Sequence, residues 1–161
     1  MKTYSLLFSI CLMVGLMSCQ KEEPAFGSDA YLIFGHFFGE CFGEQCVETY
    51  KLTSEALFED SEDLYPSRIN APIVGNFTEL DQTLFDAIIG LEETLPEDLF
   101  NQNEVVYGTP DAGDWGGYYL AYSDEATGQW WWIIDTQKDN IPEHLHNLVD
   151  EIQLAIETIN Q

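Results

Sequence analysis

A strand-like and a helix-like spacing of apolar residues alternate along this chain. Residues 30–38, Ala-Tyr-Leu-Ile-Phe-Gly-His-Phe-Phe, are dense in aromatic and β-branched side chains and predict a strand. Residues 46–52 predict a second strand, and the Gly-containing stretch 39–45 between them predicts a hairpin loop. Residues 53–76 lose the pattern and are punctuated by Pro66, Pro72 and Gly75, which predicts irregular chain. From Phe77 the spacing changes. Phe77, Leu80, Leu84, Ile88, Leu91 and Leu95 recur at steps of three and four, which predicts one amphipathic helix over 77–95. Thr78 and Asp81 resemble its capping box, and Pro96 ends it. Residues 105–107 predict a short strand, followed by the turn-rich stretch 108–117. Residues 118–123 and 129–135 predict a second hairpin around Asp124 to Gly128. Leu145, Leu148, Val149, Ile152, Ile156 and Ile159 form the stripe of a closing helix that starts near Pro142. The order predicts an α+β fold, an antiparallel sheet built from two β-hairpins with two amphipathic helices packed on one face. Residues 30–161 are enough for a single domain with a real core.

The first residues follow a different logic. Lys2 precedes an apolar stretch from Leu6 to Gly15, and Leu16-Met17-Ser18-Cys19 closes it. A charged start, a short greasy run and a small residue before a cysteine resemble the bacterial lipoprotein signal. That resemblance implies a signal peptide over 1–18, cleavage before Cys19, acylation of its thiol and an acylated tether over 19–29. The apolar run is too short to span a bilayer, so the lipid chains themselves would hold the mature protein to the membrane. Gln20-Lys21-Glu22-Glu23 looks like the acidic surface-export tag of Bacteroidota lipoproteins. The expected address is the cell outer membrane, lipid-anchored and surface-exposed.

Charge narrows the partners. The chain holds 29 Asp and Glu against 5 Lys and Arg, a formal net charge of −24. Such a surface repels nucleic acid phosphates and anionic head groups, so nucleic acid is excluded as a partner. Basic proteins and divalent cations stay open on electrostatic grounds. The acids are dispersed, which reads as a solvated surface and not as an acidic tail.

The stretch 38–52, with Cys41-Phe42-Gly43-Glu44-Gln45-Cys46 at its head, resembles a hairpin of surface lipoproteins of the Bacteroidota type. These carry a Cys-x-Gly-x-x-Cys loop leading into a strand with an aromatic residue. The block 108–117 and the closing helix after Pro142 also look like parts of that group. The group has no established activity, so the resemblance implies fold and address alone. Its members often carry cysteines flanking the Pro-Asp pair. Thr109 and Ala112 stand there in this chain, so a second disulfide or metal site does not carry over.

Candidate chemistry is sparse. Cys41 and Cys46 bracket four residues across the first hairpin, and an oxidising compartment favours a structural disulfide. The alternative is a soft metal site completed by His36, although the spacing matches no zinc pattern well. His144 and His146 point to different faces of a helix and do not chelate together. Asp111 and Asp114 before Gly116-Gly117 suggest either an Asp-rich turn or a Ca²⁺ site without EF-hand spacing. Trp130, Trp131 and Trp132 alternate faces in a strand, so one face is core and the other a covered or exposed aromatic platform. No nucleophile elbow, zinc motif or cofactor signature is present, and neither a cofactor nor a metal is expected. The expected function is a non-enzymatic binding module for an extracytoplasmic glycan or protein. Its binding surface would be aromatic residues near Trp115 and Trp131, rimmed by acids such as Asp111 and Asp114. The competing readings are a hydrolase using carboxylates near Asp111 and Asp114, and an inhibitor of a basic enzyme.

Overall fold

A computed structural model describes residues 29–68 and 71–161. Cys19, the segment 1–18 and the tether up to residue 28 lie outside the described residues. The elements in chain order are β1 (Tyr31–Phe37), β2 (Val47–Thr53), β3 (Leu57–Asp60), β4 (Phe77–Glu79), α1 (Gln82–Ile88), α2 (Glu97–Asn101), β5 (Val106–Tyr107), β6 (Gly117–Asp124), β7 (Gly128–Asp135) and α3 (His146–Ile159). Among the described residues the strands form one open sheet, ordered β4-β3-β2-β1-β6-β7-β5. Every pairing is antiparallel except β5 with β7. The fold is therefore α+β, with both hairpins in place and α1 and α3 packed against the sheet.

β1 sits at the centre of the sheet, and alternation sends its side chains to two cores. Leu32 and Phe34 join Tyr50, Leu52, Leu120, Trp132 and Ile134 beneath the helices. Ile33 and Phe37 join Val47, Tyr119, Ala121 and Ile133 on the other face. Gly35 is fixed by crowding, because a Cβ there would lie 2.0 Å from the carbonyl oxygen of Glu48 on β2. The stripe of the closing helix is correct: Leu145, Leu148, Val149, Ile152 and Ile156 are buried against the sheet. A short 3₁₀ turn, Glu143–Leu145, leads into α3 after Pro142.

The single helix over 77–95 is corrected. Phe77 belongs to β4 and packs on the face away from the helices. Asp81 is the N-cap of α1, its carboxylate accepting the Thr83 backbone N–H at 2.9 Å. Helix α1 closes at Ile88, Gly90 follows, and a 3₁₀ turn spans Leu91–Thr94. The apolar spacing was continuous, yet the chain crosses from one side of the sheet to the other within it.

The irregular segment 61–76 holds the second face. Ile73 is buried over it and donates its backbone N–H to the Tyr119 hydroxyl at 2.9 Å. Asp60, buried at the end of β3, accepts the N–H groups of Glu62 and Asn76 at 3.2 and 2.7 Å through Oδ1. Tyr65 stacks edge-on against Phe37, with ring centroids 5.0 Å apart. On the same face the Lys51 ammonium lies 5.0–5.5 Å from the ring centroids of Tyr31, Phe58 and Phe77. Three aromatic faces thus help to solvate one of the few cations in the chain.

Candidate functional site

A cleft opens where α3 runs past the end of β1 and β6. Three segments build it. His36 is the last residue of β1 on the helix side, and Phe38 follows just beyond the strand. Tyr118 stands opposite His36 on β6. The last turns of α3 supply Gln153 and Glu157, and its C-cap supplies Asn160.

The third segment is the turn 108–117, and its carboxylates explain how Trp115 is held. Asp111 and Asp114 both sit at φ 59°, a left-handed conformation that Asp tolerates better than most residues. The Asp111 N–H donates to the Gly116 carbonyl at 2.8 Å, and the Gly116 N–H donates back to Asp111 Oδ1 at 3.1 Å. Asp111 Oδ2 accepts the Tyr65 hydroxyl at 2.8 Å, tying the turn to segment 61–76. Gly116, at φ 77°, lies against the Phe38 ring, where a Cβ would approach to 2.4 Å. The Thr136 hydroxyl donates to the Trp115 carbonyl at 3.0 Å. This framework presents the Trp115 side chain 57% exposed, beside Gly113.

The enclosed volume is about 320 Å³ in the groove between α1 and α3, against about 510 Å³ in the Trp115 cleft. The cleft is lined by His36, Phe38, Trp115 and Tyr118 together with Gln137, Gln153, Glu157 and Asn160. Aromatic rings therefore share it with amides and a carboxylate. Most of the polar atoms are already organised. Gln153 donates to Glu157 Oε1 at 2.8 Å. Asn160 accepts the Tyr50 hydroxyl at 3.0 Å and donates its amide to Glu48 Oε2. His36 Nε2 lies 3.1 Å from the Gln45 carbonyl and 3.5 Å from Glu48 Oε2. With acceptors on that side, Nε2 is the ring nitrogen placed to donate.

The electrostatics favour neutral donors. Burial, then the charges of Glu157 and Asp150, pushes the Tyr118 phenol up to about 12. Burial, then Glu48 and Glu59, raises the Tyr50 phenol further. Both stay protonated at neutral pH and serve as hydrogen-bonding groups. Among the described residues no Lys or Arg lines the cleft, so an anionic ligand would meet like charge there and no counter-charge from them.

The residues singled out from the sequence are distributed as follows. Trp115 is in the cleft. Trp131 is on the opposite face of the sheet, half-buried against the core that contains Ile33 and Ala121, while Trp130 and Trp132 face the helices. Asp111 and Asp114 shape the turn and do not line the cleft. Cys41 and Cys46 form a disulfide, which removes both thiols as metal ligands. Among the described residues no group of three or more His, Cys, Asp or Glu could hold a metal ion. His36, offered by the sequence as a soft-metal ligand, lines the cleft. Phe38, Gln137, Gln153, Glu157 and Asn160 escaped sequence reading altogether, since they meet only through the docking of α3. A scan against protein-family models finds no match for this chain, and a comparison with curated proteins finds none either.

Proposed function

We propose that this protein is a non-enzymatic binding module that takes an extracytoplasmic glycan in the Trp115 cleft. In this reading the chain is acylated at Cys19 and held at the outer membrane with the domain facing outward. The observation that supports it best is a half-exposed indole that shares one cleft with amides and a carboxylate. A sugar ring has an apolar face of C–H groups and a rim of hydroxyls, so it needs an aromatic surface on one side and hydrogen-bonding groups on the other. Glutamine and asparagine both donate and accept, which suits hydroxyl groups of either polarity. The absence of lining bases favours neutral sugars over acidic ones. The competing hydrolase reading has less support, because both carboxylate oxygens of Asp111 already accept hydrogen bonds within the fold.

Glycan-array binding of the purified full-length protein in detergent tests this reading. Neutral glycans should be retained and sulfated or uronic ones should not. Trp115→Ala should weaken binding by about 2 kcal/mol, roughly thirtyfold. Failure of every glycan to bind, or an unaffected Trp115→Ala variant, overturns the glycan reading. Capture of a basic protein through the same cleft would replace it. The address has its own check: a metabolic acyl-chain probe should label the protein, and Cys19→Ala should abolish the label.

A further inference from the structure

We infer that the Trp115 cleft is one half of a longer groove, and that the ligand is an extended chain of sugars bound across two aromatic platforms. This rests on the glycan reading above. The second platform is Phe42. Its side chain is fully exposed and stands at the tip of the first hairpin. A cavity of about 420 Å³ lies beside it, lined by Phe42, Gly43, Gln45, Glu48 and Glu59.

The two cavities share a wall. His36 and Asn160 line the first, Gln45 and Glu48 line the second, and these four residues bond to one another. The partition is therefore a polar ridge made of the His36, Glu48 and Asn160 side chains and the Gln45 backbone carbonyl. Register places the two platforms at the same end of the sheet. Gly117, two residues after Trp115, and Val47, five residues after Phe42, are both cross-strand partners of Phe37. The strands that follow them flank β1, so Val47 and Gly117 lie about 10 Å apart across it. That strand spacing already exceeds one pyranose ring, so an occupant of both cavities is a short run of linked rings.

Phe42 is also pre-ordered. The Cys41–Cys46 disulfide closes its loop, the Phe38 N–H donates to the Cys46 carbonyl at 2.8 Å, and the Cys46 N–H donates to the Gly43 carbonyl at 3.2 Å. A loop whose backbone is already closed loses less freedom when a ligand covers its tip. The sequence signal for this site is the Cys-Phe-Gly tip, where an apolar residue stands in a clamped loop that its own domain does not bury.

Calorimetric titration of the full-length protein with glucose, mannose and N-acetylglucosamine, each also as its linear trimer and hexamer, tests the inference. For the sugar that binds, the hexamer should bind on the order of tenfold tighter than the monosaccharide, because the second platform is engaged without a second association cost. Phe42→Ala should abolish that gain and leave monosaccharide affinity unchanged. Phe42→Trp should keep it. Trp115→Ala should weaken every length. Equal affinity at all lengths, or a hexamer indifferent to Phe42→Ala, overturns the two-platform groove while leaving the single cleft intact. No binding at any length overturns the glycan reading beneath it.

Discussion

The two faces of the sheet are covered by different means. Beneath α1 and α3, aliphatic and aromatic side chains interlock: Leu32, Phe34, Leu120 and Trp132 meet Leu145, Leu148, Ile152 and Ile156. On the other face, Ile33, Tyr119, Ala121 and Ile133 are covered by an irregular segment whose deeply buried apolar contribution is Ile73. That segment is pinned by directional bonds, through the Tyr119 hydroxyl, the Asp60 carboxylate and the Tyr65–Asp111 contact. The physical reason is the backbone. A helix satisfies its own N–H and C=O groups and covers a sheet with side chains alone. An irregular cover brings unpaired amides to the core, and the sheet beneath must supply their partners. One face is therefore sensitive to lost volume and the other to lost hydrogen bonds.

The largest expected effect is on the helix face. Ile152→Ala should cost about 2–5 kcal/mol in urea unfolding, from lost burial and the cavity left behind. On the loop face, Tyr119→Phe keeps the ring but strands the Ile73 N–H, and should cost about 1–3 kcal/mol. It should also quicken proteolysis within 61–76, which Ile152→Ala should not do selectively. If Tyr119→Phe cost nothing and left the segment protected, the division between the faces would fail.

The smallest effect carries the same rule down to single carboxylates. Buried Asp135 accepts the N–H groups of Thr109 and Gln137 and the Asn140 amide at 2.8–2.9 Å. Burial alone would raise its pKa, but these donors, with the Thr109 hydroxyl, hold it below the usual aspartate range. Glu92 is buried with Oε2 lacking a partner, and burial, then the Glu93 charge, raises its pKa against the pull of its own backbone N–H. The signs are opposite. Glu92 destabilises the fold while ionised and stops doing so as pH falls through its raised folded value. Asp135 contributes stability in full above its unfolded value of about 3.9 and loses it as pH falls through its lower folded value. The midpoint of thermal unfolding should therefore rise slightly on mild acidification and fall in stronger acid. Glu92→Gln should flatten the rise and leave the fall.

Much of this architecture was legible in the residues. β1, β2, β6 and β7 are dense in β-formers and bounded by turns, and the stripe of α3 repeats at helical spacing over most of its length. β3 and β4 were not legible, because edge strands of four and three residues are too short to show a period. The stripe from Phe77 to Leu95 misled for a related reason. Phe77 is apolar because it faces the loop-side core, and Leu84 and Ile88 because they face the other, so one spacing joined residues that serve different cores. The cleft was half legible. Trp115 stood out by type, and its Gly-Asp turn by composition. The amides did not, since Gln153, Glu157 and Asn160 look like any solvated helix surface until tertiary packing brings them into one cleft with an indole.

The sheet's two outermost strands carry a consequence for crowding. β4 has three residues, and β5 has two and pairs in parallel. An open sheet ordinarily offers its rims as templates on which a neighbour's backbone can zip. β4 and β5 themselves offer few free amides, but β5 pairs only with Ile133 and Ile134, so the first part of β7 keeps an uncovered edge. A formal charge of −24 further keeps like molecules apart. Crowded copies are therefore kept from joining along that edge by mutual repulsion more than by the shortness of the outermost strands.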